Sequence, residues 1–209
     1  MKNSLNKFYQ DFHGKHEKYG FAHHLSTKTR YFQAAIGQGK KILDLGCRDG
    51  TITKIFLEGN DVTCIDVDAR ACQLCRNNLQ VEVIWHDLNE LLPLLDESYD
   101  VVVLSDVLEH IFMAQQLISE IKRVLKPGGI FLGSTPNAYY WTNRIKMVQG
   151  IDLVEYMDVT HVHFFSLDSL KGSLNVFSPT EIIPYGKHSL RACYPKMFAS
   201  DFFWKSEKR

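Results

Sequence analysis

The apolar positions of this chain change period along its length. From position 41 onward, short apolar runs alternate with segments whose apolar residues recur every three or four positions. "ILDL" at 42–45 reads as a buried strand. Residues 51–58 (TITKIFLE) read as a helix with Ile52, Ile55 and Phe56 on one face, stopped by Gly59 and Asn60. A strand at 61–66, a helix at 69–79 and a strand at 81–86 follow. After a turn at 96–98, "YDVVVLS" is nearly continuous in apolar residues, as a central parallel strand covered on both faces requires. The longest helical pattern runs from Leu108 to Leu125, and "KPGG" at 126–129 stops it before the strand "IFLGST". Strands alternating with helices imply right-handed crossovers, so the predicted fold is α/β: a doubly wound, mostly parallel sheet with helices on both faces.

The pattern weakens after Pro136. Residues 138–160 are rich in aromatics without a strand period, a short helix is expected at 167–174, and the apolar runs at 180–185 and 197–204 read as an antiparallel pair closing the sheet edge. Residues 1–40 are expected to form helices that cover the mouth of a site, with Phe8, Tyr9, Phe12, Tyr19, Phe21, Tyr31 and Phe32 supplying the apolar area to dock and His13, His16, His23 and His24 on a half-exposed cap. The chain is read as one domain over 1–209: a cap at 1–40, a cofactor-binding core at 41–137, a substrate-side lid insertion at 138–166, and a C-terminal helix with edge strands at 167–209.

Composition narrows this little. With 209 residues, 45% hydrophobic and 23% charged, the chain suits one α/β domain. The formal net charge is +0, so no global field recruits nucleic acid, and the lysines clustered in the first forty residues read as solvated ends. Five cysteines are odd in number and lack a disulfide spacing; there is no signal-peptide core and no apolar run of the roughly 18 residues a membrane span needs. A reduced, cytoplasmic protein is expected, with monomer and homodimer both open.

In an open α/β sheet, ligands bind outside the carboxyl ends of the strands. The residues at those ends are Asp44 to Gly50, Asp66, His86-Asp87 and Ser105-Asp106. The turn Gly46-Cys47-Arg48-Asp49-Gly50 lacks the G-x-G-x-x-G phosphate fingerprint, and Asp49 would set a negative charge where a pyrophosphate should lie. Asp66, about 20 residues on, remains placed to grip a ribose diol. A nucleoside carrying no phosphate therefore fits better than NAD.

"ILDLGCRDG", "CIDVD", "WHDL", "YDVVVLSDVLEHI" and "RVLKPGGIFLGSTPN" resemble the class I S-adenosylmethionine-dependent methyltransferases over roughly Lys41 to Asn137, and are similar to the small-molecule branch that includes the ubiquinone-pathway O-methyltransferases. The resemblance implies a seven-stranded Rossmann-like sheet with an antiparallel strand at its edge. It also implies S-adenosylmethionine as cofactor, held by Asp44, Gly46, Cys47, Arg48, Gly50, Asp66, Val67, Asp87, Leu88 and Ser105. In that frame Asp44 orients the turn, Gly46 to Gly50 pass under the methionine moiety, and Asp66 accepts both ribose hydroxyls. Asp87 and Leu88 meet the adenine, and Ser105 lies near the sulfonium. Arg48 stands where the family more often has glycine; its side chain is expected either to point away or to neutralise the methionine carboxylate.

An acceptor that loses a proton on methylation benefits from a general base, and the candidates are His86, Glu109, His110, His161 and His163, with His110, His161 and His163 preferred. His161 and His163 would share one side of an extended segment, beside an apolar pocket lined by Tyr139, Tyr140 and Trp141. No metal set is expected. His161, His163 and Asp158 match no strong motif, and Cys72 and Cys75 face one way on a helix that packs on the sheet. The functional expectation is methyl transfer to an O or N of a small acceptor, with no nucleic acid and no membrane span. The alternatives are a non-catalytic cofactor-binding regulator or assembly partner, and a nucleic-acid methyltransferase.

Overall fold

The computed structural model describes residues 2–153 and 158–209; residues 154–157 of the expected lid insertion lie outside the described residues. Seven strands, β1 (Lys41–Leu45), β2 (Asp61–Asp66), β3 (Glu82–Trp85), β4 (Tyr99–Ser105), β5 (Leu125–Pro136), β6 (Thr180–Tyr185) and β7 (Asp201–Glu207), form one sheet in the order β3-β2-β1-β4-β5-β7-β6. The pairs among β1 to β5 are parallel, and β7 runs antiparallel to both β5 and β6, which gives the antiparallel edge pair. From β1 the chain steps outward through β2 to β3 and then jumps back to β4 on the other side of β1. That reversal opens a crevice at the carboxyl ends of β1 and β4.

Side chains alternate across the sheet, so each central strand feeds two cores. Leu43, Leu45, Val102, Leu104 and Phe131 pack with Leu117, Ile118 and Ile121 of α4 (Ala114–Val124) and with Leu170 of the helix Leu167–Ser173. On the opposite face Ile42, Cys64, Val101, Val103 and Leu132 meet Phe32 and Ile36 of α2 (Leu25–Ile36) and Cys72 and Cys75 of α3 (Ala69–Leu79). Both cysteines of the Cys72/Cys75 pair are fully buried there, as packing residues.

Two expected helices are shorter than their periodicity suggests. In place of a helix over 51–58 there is one 3-10 turn, Thr53–Ile55. The amides of Ile55 and Phe56 donate three residues back, to Ile52 and Thr53 at 2.9 and 3.1 Å, and the Asn60 side chain takes the Phe56 carbonyl at 2.8 Å, while the Thr53 hydroxyl anchors the turn to the buried carboxylate of Asp44 at 2.6 Å. The pattern from Leu108 to Leu125 divides into a 3-10 turn, Leu108–His110, and α4. The Glu109 carbonyl receives the amides of Val162 and His163, at 2.9 and 3.0 Å, and the Met113 amide goes to Asn89 Oδ1 at 3.2 Å, so the bond that would continue the helix never forms. "KPGG" ends α4, yet it lies within β5, where Leu125 pairs with Tyr99 across an irregularity in register. The apolar run at 197–204 is split between a short helix, Pro195–Phe198, and β7.

The first forty residues form α1 (Lys2–Lys15) and α2, and Asp68 fastens α1 to the core. Its Oδ1 caps α3 by accepting the amides of Arg70 and Ala71 at 2.9 and 3.0 Å. Its Oδ2 accepts from His13 Nδ1 at 2.9 Å and from the Tyr19 hydroxyl at 2.8 Å. Asn6 reaches the Ala69 amide at 2.9 Å. Burial alone would raise the Asp68 carboxyl, but His13, the Ala71 amide and Tyr19 outweigh it and hold it below the ordinary carboxylate range. A depressed carboxyl contributes stability that is present above the unfolded value, about pH 4, and is lost as pH falls through the folded value.

Two outcomes are expected from this architecture. Gly133 lies between Leu104 and Trp204, and a Cβ there would stand 2.1 Å from Trp204 Cζ2 and 2.5 Å from the Leu104 carbonyl oxygen. Gly133→Ala should cost at least roughly 1–3 kcal/mol, the range of core overpacking, and lower the melting temperature by several degrees in calorimetry; an unchanged transition would show that the sheet yields there. Asp68→Ala at neutral pH should raise hydrogen exchange over residues 2–15, and the parent chain should acquire the same behaviour only in acid, below about pH 4. Equal protection in parent and variant would show that α1 is held by other contacts.

Candidate active site

A cavity of about 400 Å³ lies at the carboxyl ends of the strands. Its floor is the β1 turn, the Asp66 loop, Asp87 to Asn89 and Ser105 to Val107, and the cap contributes Tyr9, Phe12, His13 and Phe21. The turn is set by β2: the amides of Gly46 and Cys47 both donate to the Ile65 carbonyl, at 2.8 and 3.2 Å. Gly46 has φ 75°, and a Cβ there would come within 2.3 Å of Val107 Cγ2, so the turn and the loop after β4 touch through a hydrogen-only residue.

Asp66 is 6% exposed and lines the cavity. Its Oδ2 accepts the Arg48 amide at 2.7 Å and its Oδ1 the Asp68 amide at 2.8 Å. Burial raises its carboxyl, and the two amides counter part of that rise. Each carboxylate oxygen has used one acceptor position and keeps another. Arg48 takes a left-handed backbone, φ 50°, to aim its amide there. Its guanidinium donates to the Phe21 carbonyl of the cap, while Nε is buried without an aligned acceptor, 3.5 Å from Asp49 Oδ1. Asp49 in turn accepts the Gly20 amide, so the turn residues hold the cap from below.

At the next strand ends, Asp87 Oδ1 accepts the backbone and side-chain nitrogens of Asn89, both at 2.9 Å. Ser105 Oγ lies 3.1 Å from Ser134 Oγ, which donates to Asp106 Oδ1 at 2.6 Å, and Lys28 from α2 pairs with Asp106 Oδ2. Burial would raise the Asp106 carboxyl, but Lys28 and Ser134 bring it below the usual range. Its neighbour Glu109 is pushed the other way, to about 8, by burial and by the charge of Asp106, with Thr135 Oγ1 donating to its Oε2 at 3.0 Å. His110 donates through Nδ1 to the Thr160 carbonyl at 3.1 Å, and its ring is 4.8 Å from that of His161. Burial lowers both imidazoles, His161 to about 4 with His110 adding to the effect.

Of the residues singled out in the sequence, the cavity wall brings together Gly46, Cys47, Arg48, Asp66, Val67, Asp87, Leu88, Ser105, Glu109, His110 and His161. Asp44 lies behind the turn and holds Thr53 instead. Gly50 packs on α3, where a Cβ would meet Leu79 Cδ1 at 2.5 Å and Cys75 Sγ at 3.0 Å. His163 stands apart. The segment is not extended, because successive amides fold onto the Glu109 carbonyl, and His163 turns toward the Phe112 carbonyl at 3.5 Å. His86 likewise leaves the cavity for the Leu91 carbonyl at 3.0 Å. The aromatic lining comes from the cap rather than from Tyr139, Tyr140 and Trp141, since Trp141 begins a helix, Trp141–Val148, and stacks edge-on toward His188. Lys28, Asp68 and Thr160 were not foreseen as site residues. Their partners are 78, 49 to 55 and 50 residues distant, and no local motif marks such pairs.

A methyltransferase domain model matches residues 43–133. A Probable S-adenosylmethionine-dependent methyltransferase of Mycolicibacterium smegmatis is 35% identical over 122 residues, covering 58% of this chain and 47% of that protein. A ubiquinone biosynthesis O-methyltransferase of Rickettsia bellii is 30% identical over 172 residues, covering 75% of this chain and 69% of that one. A tRNA N(3)-cytidine methyltransferase of Gallus gallus is 33% identical over 148 residues, covering 62% of this chain and 40% of its own. The chain thus spans between two fifths and about two thirds of the lengths of these relatives. Among solved structures, an S-adenosylmethionine-dependent methyltransferase of Thermotoga maritima superposes over 100% of both chains with TM-score 0.73 at 15% identity, a likeness of fold. Among the described residues no helix is long and apolar enough to cross a membrane. With the motif order, the sheet and a relative aligned over most of its length in agreement, the chain belongs to the class I S-adenosylmethionine-dependent methyltransferases.

Proposed function

We propose that this protein transfers a methyl group from S-adenosylmethionine to an oxygen or nitrogen of a small hydroxylated or amine-bearing metabolite. The observation that carries the reading is Asp66. It is a buried carboxylate with both oxygens held by backbone amides and a remaining acceptor position on each, at the edge of a cavity with no room for a side chain at Gly46. Two vicinal hydroxyls satisfy such a group, and a ribose carries them. When bound, the cofactor supplies an electrophilic methyl group on a sulfonium.

The chain's own residues then divide the work. Asp66 orients the ribose, Asp87 and Leu88 border the adenine, and Gly46 with Cys47 lets the backbone approach the methionine portion. Arg48 is assigned first to the cap through the Phe21 carbonyl, and second to a ligand carboxylate. Ser105 is fixed by Ser134 beside the reacting centre. Tyr9, Phe12 and Phe21 exclude water above it, and His110 and His161 contact the acceptor at the polar end of the cavity. His163 and His86, outside the cavity, are given no role.

A polynucleotide acceptor is the second reading, favoured by the tRNA-modifying relative. Against it, two of the N-terminal cations serve the site's own carboxylates, Lys28 on Asp106 and Lys18 4.0 Å from Asp158. Salt-dependent RNA binding by the full chain would move the assignment to that class.

The test is calorimetry with S-adenosylhomocysteine, followed by incubation of the chain with a labelled methyl donor and a metabolite extract. Asp66→Ala should weaken the product cofactor at least about 100-fold, the loss of two hydrogen bonds to a charged group. Asp66→Asn, which keeps one acceptor oxygen, should lose less. No heat with the parent chain, or equal affinity in Asp66→Ala, overturns the reading; binding without label transfer to any acceptor would make the protein a cofactor-binding regulator.

A further inference from the structure

Three thiols from different parts of the chain meet beneath the cavity floor. Cys47 lies in the turn after β1, Cys64 in β2 and Cys75 in α3, and their sulfurs lie within 4.8 Å of one another. All three residues are buried. No local spacing links them, and the sequence spacing singles out Cys72 and Cys75 instead. The structure separates that pair. Cys72 Sγ donates to the Asp66 carbonyl at 3.5 Å, while Cys75 Sγ joins the other two.

The surroundings suit a bound cation. Outside the set Cys47 and Cys64 make only long contacts, 3.6 Å from Cys47 Sγ to the Arg48 carbonyl and 4.0 Å from Cys64 Sγ to Thr53 Oγ1. Hydrogen bonds from the Cys47 and Cys64 thiols draw Cys75 down to about 4 against its burial, so one thiolate is present at neutral pH. Two buried carboxylates also act on the set, Asp66 on Cys47 and Asp44 on Cys64. Negative charge gathered in an apolar core is tolerated when a positive charge lies among it. Gly50 folds the turn closely over α3, where a Cβ would stand 3.0 Å from Cys75 Sγ. Cys47 lines the cavity, so an ion can enter from that side.

We propose that Cys47, Cys64 and Cys75 bind one soft cation of the class that thiolates select, such as Cu⁺ or Zn²⁺. Cys75 coordinates as the thiolate it already is, and Cys47 and Cys64 release their protons to water as their sulfurs take the ion. No oxidation is involved. The three ligands join the turn after β1, β2 and α3 through a single atom, behind the residues that face the cavity. The site is independent of the acceptor and of methyl transfer.

The probe is Cd²⁺, a soft ion without redox chemistry whose thiolate complexes absorb in the ultraviolet by charge transfer. An ion held by oxygen or nitrogen elsewhere gives no such band. Titration of the full, reduced chain with Cd²⁺ should show the band saturating at one ion per chain. Cys64→Ala and Cys75→Ala should each weaken binding at least about 10-fold, since outer contacts alone are worth that much to a metal site. Cys72→Ala and Cys193→Ser remove thiols outside the set and should leave binding unchanged. Circular dichroism reports that each variant is folded. Absence of the band at millimolar Cd²⁺, its loss with Cys193→Ser rather than Cys75→Ala, or Cys64→Ala and Cys75→Ala variants that bind as tightly as the parent overturns the site. A chain that binds Cd²⁺ and not S-adenosylhomocysteine keeps the site and loses the methyl-transfer reading.

Discussion

The carboxylate of Asp66 is the junction on which the upper edge of the sheet depends. It accepts one amide from the turn after β1 and one from its own loop after β2, and so sets the distance between the carboxyl ends of β1 and β2, beside the crevice. Two residues later Asp68 caps α3 with one oxygen and holds the N-terminal cap with the other. A short stretch of chain thus couples turn, helix and cap. The left-handed Arg48 illustrates the strength of the constraint. A conformation ordinarily left to glycine costs of order 1 kcal/mol, and the amide bond to a buried carboxylate offsets it.

The strand ends carry carboxylates in a poorly solvated place, and the structure satisfies each one differently. Burial raises the Asp44 carboxyl to about 7, and the Thr53 hydroxyl it accepts counters part of that rise. Asp66 takes amides, Asp87 takes Asn89, and Asp106 takes a cation from α2. Charged groups this close to the core need partners to be tolerated, and several partners come from the cap. The N-terminal segment is therefore part of the site's electrostatics as well as its roof. Lys28, 3% exposed, is the clearest case: a lysine in a segment whose charges read as solvated is one of the most buried polar residues in the molecule.

Where periodicity and structure part, hydrogen bonds that the apolar pattern does not show are responsible. The helix expected over 51–58 tightens to one turn, anchored by Asp44 and ended by Asn60, and the long pattern from Leu108 is cut where Glu109 accepts amides from residues more than fifty positions away. The second interruption shapes the site. It frees the Leu108–His110 turn from α4 and lets His110 reach Thr160, which brings the loop carrying His161 over the cavity and turns His163 out of it.

The sequence by itself determined the alternation of buried strands and amphipathic helices, the parallel order of the sheet with its antiparallel closing pair, and the glycine turn with its acid twenty residues on. Those features follow from burial and from backbone conformations that few residue types allow, and both are written in local periodicity and composition. Only the tertiary structure decided which titratable groups face one another. Lys28 finding Asp106, His13 and Tyr19 finding Asp68, and Glu109, His110 and His161 converging are contacts between segments 49 to 78 residues apart or joined across a folded loop, where local pattern carries no information. A hydrophobic residue needs only to be inside, and the sequence says so; a polar one needs a particular partner, and that partner is set by the fold.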